Sequence, residues 1–222
     1  MSSVVTYKYI KENADIMEYI RRADDELKVL GYTEHSFAHV ERVAHTAGML
    51  LSDLGYDERT VELAKIAGMM HDIGNVVNRI DHAQSGAVMA FRLLDNMNMP
   101  AAEISQIISA IGNHDESTGQ PLNPISAALI LADKTDVRRN RVRTKDESHF
   151  DIHDRVNYAV TGTSVKVDPE KKTIALNLQV DDSICTMYEY FDIFLTRMLM
   201  CRGAAEMLGC QFRLTVNGGK VL

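Results

Sequence analysis

The first chemistry-bearing feature of this sequence is a set of histidine and aspartate side chains on faces that the apolar pattern marks as buried. His39 shares a helical stripe with Val43, Ala47, Leu50 and Leu54, because steps of three and four residues return to one side of a helix. His71 and Asp72 stand side by side at the end of an apolar run, and Asp133 falls four residues after Leu129 and eight after Ile125, again facing inward. Each has an ordinary explanation. A lone histidine on such a stripe is usually a core residue with satisfied ring nitrogens, and Asp133 reads equally as half of a salt bridge. Together they suggest more. A buried carboxylate is costly unless a cation or full hydrogen bonding compensates it. Two imidazoles and two carboxylates from three helices would make a His-His-Asp-Asp nest for a divalent metal of borderline to hard preference. Cysteine is absent from the set, which argues against a structural zinc site.

In order and in framing, His39, His71-Asp72 and Asp133 resemble the H…HD…D signature of the HD superfamily of metal-dependent phosphohydrolases: HVERVA surrounds the first histidine, AGMMHDIGN the doublet and ALILADKTD the last aspartate. The resemblance runs from about Tyr32 to Arg143. It implies a helical HD domain that hydrolyses a phosphoester or phosphoanhydride with metal-activated water. His82, in DHAQSGAVMA, and His114, in AIGNHDES, fall between the doublet and the last aspartate. In two-metal branches of the superfamily, histidines in those gaps supply a second ion. By that resemblance Asp72 bridges, His39, His71 and Asp133 hold one metal, and His82 and His114 hold the other. The alternatives are that His82 is an exposed first-turn residue and that His114 only meets a helix dipole. Two ions ~3.5–4 Å apart would clamp the phosphoryl oxygens and activate the attacking water. Iron or manganese is favoured, with magnesium, cobalt and nickel open.

Lys134, Arg138 and Arg141 fall at i, i+4 and i+7. On one continuous helix they would share a face beside Asp133 and grip non-reacting phosphates. Arg42, one turn beyond His39, is read the same way, and a solvated basic face is the competing reading for all but Lys134. Asp72 and Lys134 are the residues expected to act directly in catalysis. His35, His45, His149 and His153 are given no role. The gap histidines and the tracts HAQSGA and ILADKTDVRRNR are most similar to bacterial two-metal HD hydrolases that split dinucleoside tetraphosphates. The expected substrate is therefore a small phosphorylated molecule of nucleotide type. A single-metal nucleoside-monophosphate phosphatase and a non-catalytic nucleotide-sensing module are the alternatives.

The elements that must position these residues are mostly helices. Apolar residues recur every three or four positions through the first two thirds of the chain. Helices are expected from about Lys8 to Leu30, Ser36 to Leu54, Asp57 to Met70, His82 to Met97, Ala101 to Asn113 and Pro124 to Asn140. At HDIG, Gly74 is expected to permit a turn that other residues would resist. Beyond Val160 the period changes to two. SVKVDPEKKTIALNLQV reads as a hairpin about its Asp-Pro-Glu-Lys-Lys turn, followed by a helix from Ser183 to Leu208 and a strand QFRLTV. The expected fold is mainly α: an HD-type helical bundle over residues 1–148 and a small C-terminal β-β-α-β unit over 149–222, joined by the charged segment 138–149.

Composition narrows the partners. Thirty-one acidic residues against 24 basic ones give a formal charge of −7, a field that repels phosphate backbones, so no nucleic-acid coat is expected. The three cysteines, Cys185, Cys201 and Cys210, form no CxxC pair. With no export signal and no apolar run of membrane-spanning length, a cytoplasmic protein is expected, with no membrane partner and homo-oligomerisation left open.

Overall fold

The computed structural model describes residues 4–144, 146 and 150–221. Nine α-helices and a four-stranded sheet are present among them. The chain opens with α1 (Tyr7–Glu12) and α2 (Ala14–Val29), not the one helix the pattern predicts. Asn13 separates them: its side chain accepts from the amides of Asp15 and Ile16 and starts a new helix. α3 (Phe37–Asp53) is capped by Ser36 and α4 (Glu58–Met70) by Asp57. A 3₁₀ turn, Ile73–Val76, leads to α5 (His82–Asn96) and α6 (Ala101–Gly112). α7 (Pro124–Lys134) starts at a capping box of Asn123 and Ser126, with Pro124 in its first turn.

α7 stops at Lys134, six residues short of the expected Asn140. The Thr135 hydroxyl bonds back to the Leu131 carbonyl, and Arg138 is fully extended (φ −164°) before a short 3₁₀ turn at Arg139–Arg141. The charged segment is more than a link. Arg141 is buried, Arg143 pairs with Asp24, and α8 (Ile152–Ala159), which the pattern did not reveal, follows it. The boundary expected between 148 and 149 falls on residues outside those described.

The C-terminal sheet is built from β1 (Val160–Asp168), β2 (Thr173–Val180), β3 (Gln211–Val216) and β4 (Gly219–Lys220), in that order. β1 and β2 form the expected antiparallel hairpin, with Asp168 opposite Thr173. α9 (Met187–Met207) crosses from β2 to a parallel β3. Asn217 and Gly218, both at positive φ, turn β3 into the short β4, the turn that Asn-Gly favours. One buried apolar cluster runs from Val5 through the helices to Val216, and α9 packs directly on α7.

Candidate metal centre

Six side chains expected at a metal site converge at the ends of α3 to α7. His39 sits in the first turn of α3, where the Ser36 cap fixes the helix start. His71 is the C-cap of α4, and Asp72, at φ −98° and ψ 0°, has left helical geometry. His82 is the first residue of α5, His114 follows α6, and Asp133 is in the last turn of α7. Gly74 makes its turn without a positive φ. Its smallness matters instead: a Cβ there would lie 2.0 Å from the His82 carbonyl oxygen and 2.4 Å from the Gly86 nitrogen. Close backbone approach thus brings the HDIG turn against α5. Gly68 does the same between α4 and α3, with a virtual Cβ 2.7 Å from the Ala44 Cα.

Every imidazole in the cluster is oriented by its Nδ1. That atom lies 2.8 Å from Asp136 Oδ2 in His39, 2.8 Å from the Gly68 carbonyl in His71, 3.1 Å from the Arg79 carbonyl in His82 and 2.6 Å from the Ile111 carbonyl in His114. These acceptors assign the proton to Nδ1 and leave the Nε2 lone pair facing the cluster. Asp72 divides the four rings. Its Oδ2 lies 3.7 Å from His39 Nε2 and 3.3 Å from His71 Nε2, while its Oδ1 lies 3.6 Å from His82 Nε2 and 3.8 Å from His114 Nε2. Asp133 Oδ1 joins the first pair at 3.5 and 3.8 Å.

Lone pairs therefore face lone pairs. His82 and His114 bring Nε2 atoms to 3.2 Å with their protons on the far side of each ring. His39 Nε2, His71 Nε2 and Asp72 Oδ2 are buried without a hydrogen-bond partner. Buried polar atoms are rarely left so, and the donor set is that of a cation site. The donors form three overlapping groups: His39-His71-Asp72, His71-His114-Asp133 and Asp72-His82-His114. Burial raises the Asp72 pKa, but His71 and His114 outweigh it and hold the carboxyl well below the usual range. Burial likewise opposes ionisation of Asp133, and Lys134, 2.7 Å from its Oδ2, reverses the effect. Burial works to lower the His71 pKa, yet Asp72 and Asp133 leave it raised. The nest draws positive charge, as a proton or as a metal ion.

The nest opens into a cleft of about 150 Å³. Lys134 and Arg141 line it, as expected. Arg42, on α3, and Arg138 do not; Arg138 is lost to the cleft because α7, which was to align it with Lys134, ends early. Arg138 is turned onto Asp136 at 2.7 and 3.1 Å, and Arg42 is half-exposed over a different groove beside β1. Other residues were missed. Arg79 reaches to 3.4 Å from His82 Nε2 beneath the Tyr32 ring, and Asp136 orients His39. His35 and His153, given no role, both line the cleft, while His45 is largely exposed beside Glu41. His149 lies outside the described residues. Asp136 carried a usable signal, standing three residues beyond Asp133 in ADKTD; His153 and the α9 side of the cleft carried none, since only the tertiary fold brings them there.

The HD domain family matches residues 36–139. The chain is similar to Ribonuclease Y of Lawsonia intracellularis, 33% identical over 104 residues, covering 46% of this chain and 18% of that protein. It is similar to Ribonuclease Y of Staphylococcus epidermidis, 31% identical over 136 residues, covering 57% and 24%. The chain spans less than a third of the length of these curated relatives. A crystal structure of a predicted HD superfamily hydrolase from an uncultured Thermotogales bacterium shares 27% identity at a TM-score of 0.44, covering 56% of this chain and 67% of that one.

Proposed function

We propose that this protein, whose residues 36–139 match the HD domain family, is a two-metal phosphohydrolase acting on a small phosphoester or phosphoanhydride of nucleotide type. The observation that carries the reading is the division of Asp72, one carboxylate oxygen toward His39 and His71 and the other toward His82 and His114. His39, His71, Asp72 and Asp133 would hold one divalent ion, and Asp72, His82 and His114 the second. The mixed imidazole and carboxylate donors suit iron or manganese, and magnesium, cobalt or nickel would also be accepted. Such ions supply Lewis acidity, neutralising phosphoryl charge and making a water acidic enough to attack near neutral pH.

The chain's own groups do the rest. The Nδ1 acceptors fix each imidazole in its tautomer, so that no reorientation is needed when the site is loaded. Asp72 is the shared ligand, and Lys134, beside Asp133, meets charge on the phosphoryl group. Arg79 and Arg141 stand on the cleft wall to bind further anionic oxygens. The narrow cleft and the net charge of −7 favour a small substrate over a long polyanion. The relatives' name, Ribonuclease Y, favours RNA as a second reading.

The test is elemental analysis of the purified chain, followed by hydrolysis of nucleotides, a chromogenic phosphoester and a short RNA. About two transition-metal ions per chain and release of phosphate or a nucleotide from small substrates are expected. Asp72→Ala should lose both ions and reduce turnover by at least a thousandfold. One ion per chain would overturn the dinuclear reading, preferential cleavage of RNA would overturn the substrate class, and substantial turnover by the Asp72 variant would falsify the centre itself.

A further inference from the structure

We propose that Arg197 on α9 and Arg141 form a second anion subsite in the cleft, so that the substrate carries an anionic group beyond the phosphoryl that reacts at the metal nest. The proposal rests on the reading of the nest as a phosphohydrolase centre and adds to it a substrate class: a diphosphate, or another phosphoryl compound with a second acidic group. Arg197 lies on the C-terminal helix, outside the segment matched by the HD family, yet lines the same cleft as Asp72 and Asp133.

Three observations build the subsite. The first is a line of alternating charge leading away from the nest. Asp133 Oδ2 lies 2.7 Å from Lys134 Nζ, which lies 3.5 Å from Glu116 Oε1, which lies 2.6 Å from Arg197 Nε. Arg197 is thus separated from the nest carboxylate by Lys134 and Glu116, the displacement expected of a group that binds a neighbouring anion. The second is its mounting. The Phe194 ring lies 4.4 Å from the guanidinium carbon, a cation–π contact that fixes the plane. The Nε is buried and makes no aligned hydrogen bond, so Glu116 holds it by charge alone.

The third observation is Arg141. It is 5% exposed and anchored through Nε to the Glu34 carbonyl at 3.0 Å and through Nη1 to the Asp136 carbonyl at 2.9 Å. Burial lowers its pKa, Asp136 and Asp133 work to raise it, and Arg197 and Arg138 lower it. Two guanidiniums converging on one cleft repel each other. Glu116 is shared between Arg197 and Lys134, and Asp136 between His39, Arg138 and Arg141, so each carboxylate faces more than one cation. An anion between the two forks converts that repulsion into charge-assisted hydrogen bonds.

The experiment compares two probes, inorganic phosphate and methylenediphosphonate, by titration calorimetry on the metal-loaded full chain, with metal content measured again afterwards. The wild-type chain should bind the diphosphonate at least tenfold more tightly than phosphate. Arg197→Gln should lose that preference at unchanged metal content and circular dichroism, with phosphate affinity moving less than twofold, and Arg197→Lys should recover part of it. A purely structural arginine would lower both affinities together or neither, and either result overturns the subsite. Repeating the diphosphonate titration on the metal-free chain separates this from the reading it rests on. If the chain retains no metal and hydrolyses nothing, the phosphohydrolase reading fails; the subsite fails if Arg197→Gln binds diphosphonate as the wild type does or loses phosphate and diphosphonate affinity alike.

Discussion

At the scale of single residues, the nest depends on groups that touch no substrate. Asp136 is nearly fully buried, accepts from His39 Nδ1, and is held in turn by Arg138. Removing a carboxylate behind a metal-ligating histidine costs roughly 10–100-fold in metal affinity. Asp136→Ala should therefore weaken metal binding by about that factor in a chelator competition, and Asp136→Asn, which keeps an acceptor for His39, by less. Equal affinity in all three proteins would show that His39 is oriented by its helix alone. Four of the nest residues, His39, His71, Asp72 and Asp133, were legible in the sequence because apolar periodicity marks which side chains turn inward and buried carboxylates need partners; His82 and His114 entered only through the resemblance to two-metal HD hydrolases. Asp136 and Arg79 were less legible. Asp136 lies beyond the end of α7, where helical periodicity no longer says which way a side chain turns, and Arg79 gains its position only when the fold brings the Tyr32 ring against it.

Among elements, the helices were legible and their ends were not. Capping at Ser36, Asp57 and Asn123 marks starts that composition announces. The end of α7 rests on the Thr135 hydroxyl and on the pull of Asp136 on Arg138, neither of which a hydrophobic pattern contains. That end decides which basic groups face the cleft: Lys134 and Arg141 do, Arg138 does not. The turn after α4 makes its own demand. Gly74→Ala would drive a methyl group into the His82 carbonyl and the Gly86 amide, both backbone atoms that cannot rotate away. Overpacking of this kind costs roughly 1–3 kcal/mol, and relief requires the start of α5 to move, taking His82 with it. The expected result is a lower melting temperature together with loss of metal. A variant of wild-type stability and full metal content would show that the turn and α5 can separate without harm.

Over the whole molecule, the C-terminal unit is tied to the helical body through both the core and the cleft. Tyr190, Phe194, Met198 and Cys201 bury one side of α9, which packs on α7, the helix bearing Asp133 and Lys134. The neighbouring Arg197 reaches the cleft from that same helix, and α8 adds His153 and Asn157. Sequence alone revealed the change of period that begins the sheet, but not that the unit folds back over the site, since nothing local encodes a contact between residues 116 and 197. If body and tail share one core, damage in α9 must be felt by the nest. Phe194 is fully buried, and Phe194→Ala should cost about 3–5 kcal/mol through lost burial and the cavity left behind. For a chain of this length that lowers the melting temperature by roughly 6–20 °C. The decisive feature is the form of the transition. Far-ultraviolet circular dichroism, dominated by the helices, and bound metal followed by a chromogenic chelator should both shift in a single coincident step. A tail that folds independently would instead melt first, leaving the metal in place until the helical body unfolds at its wild-type temperature.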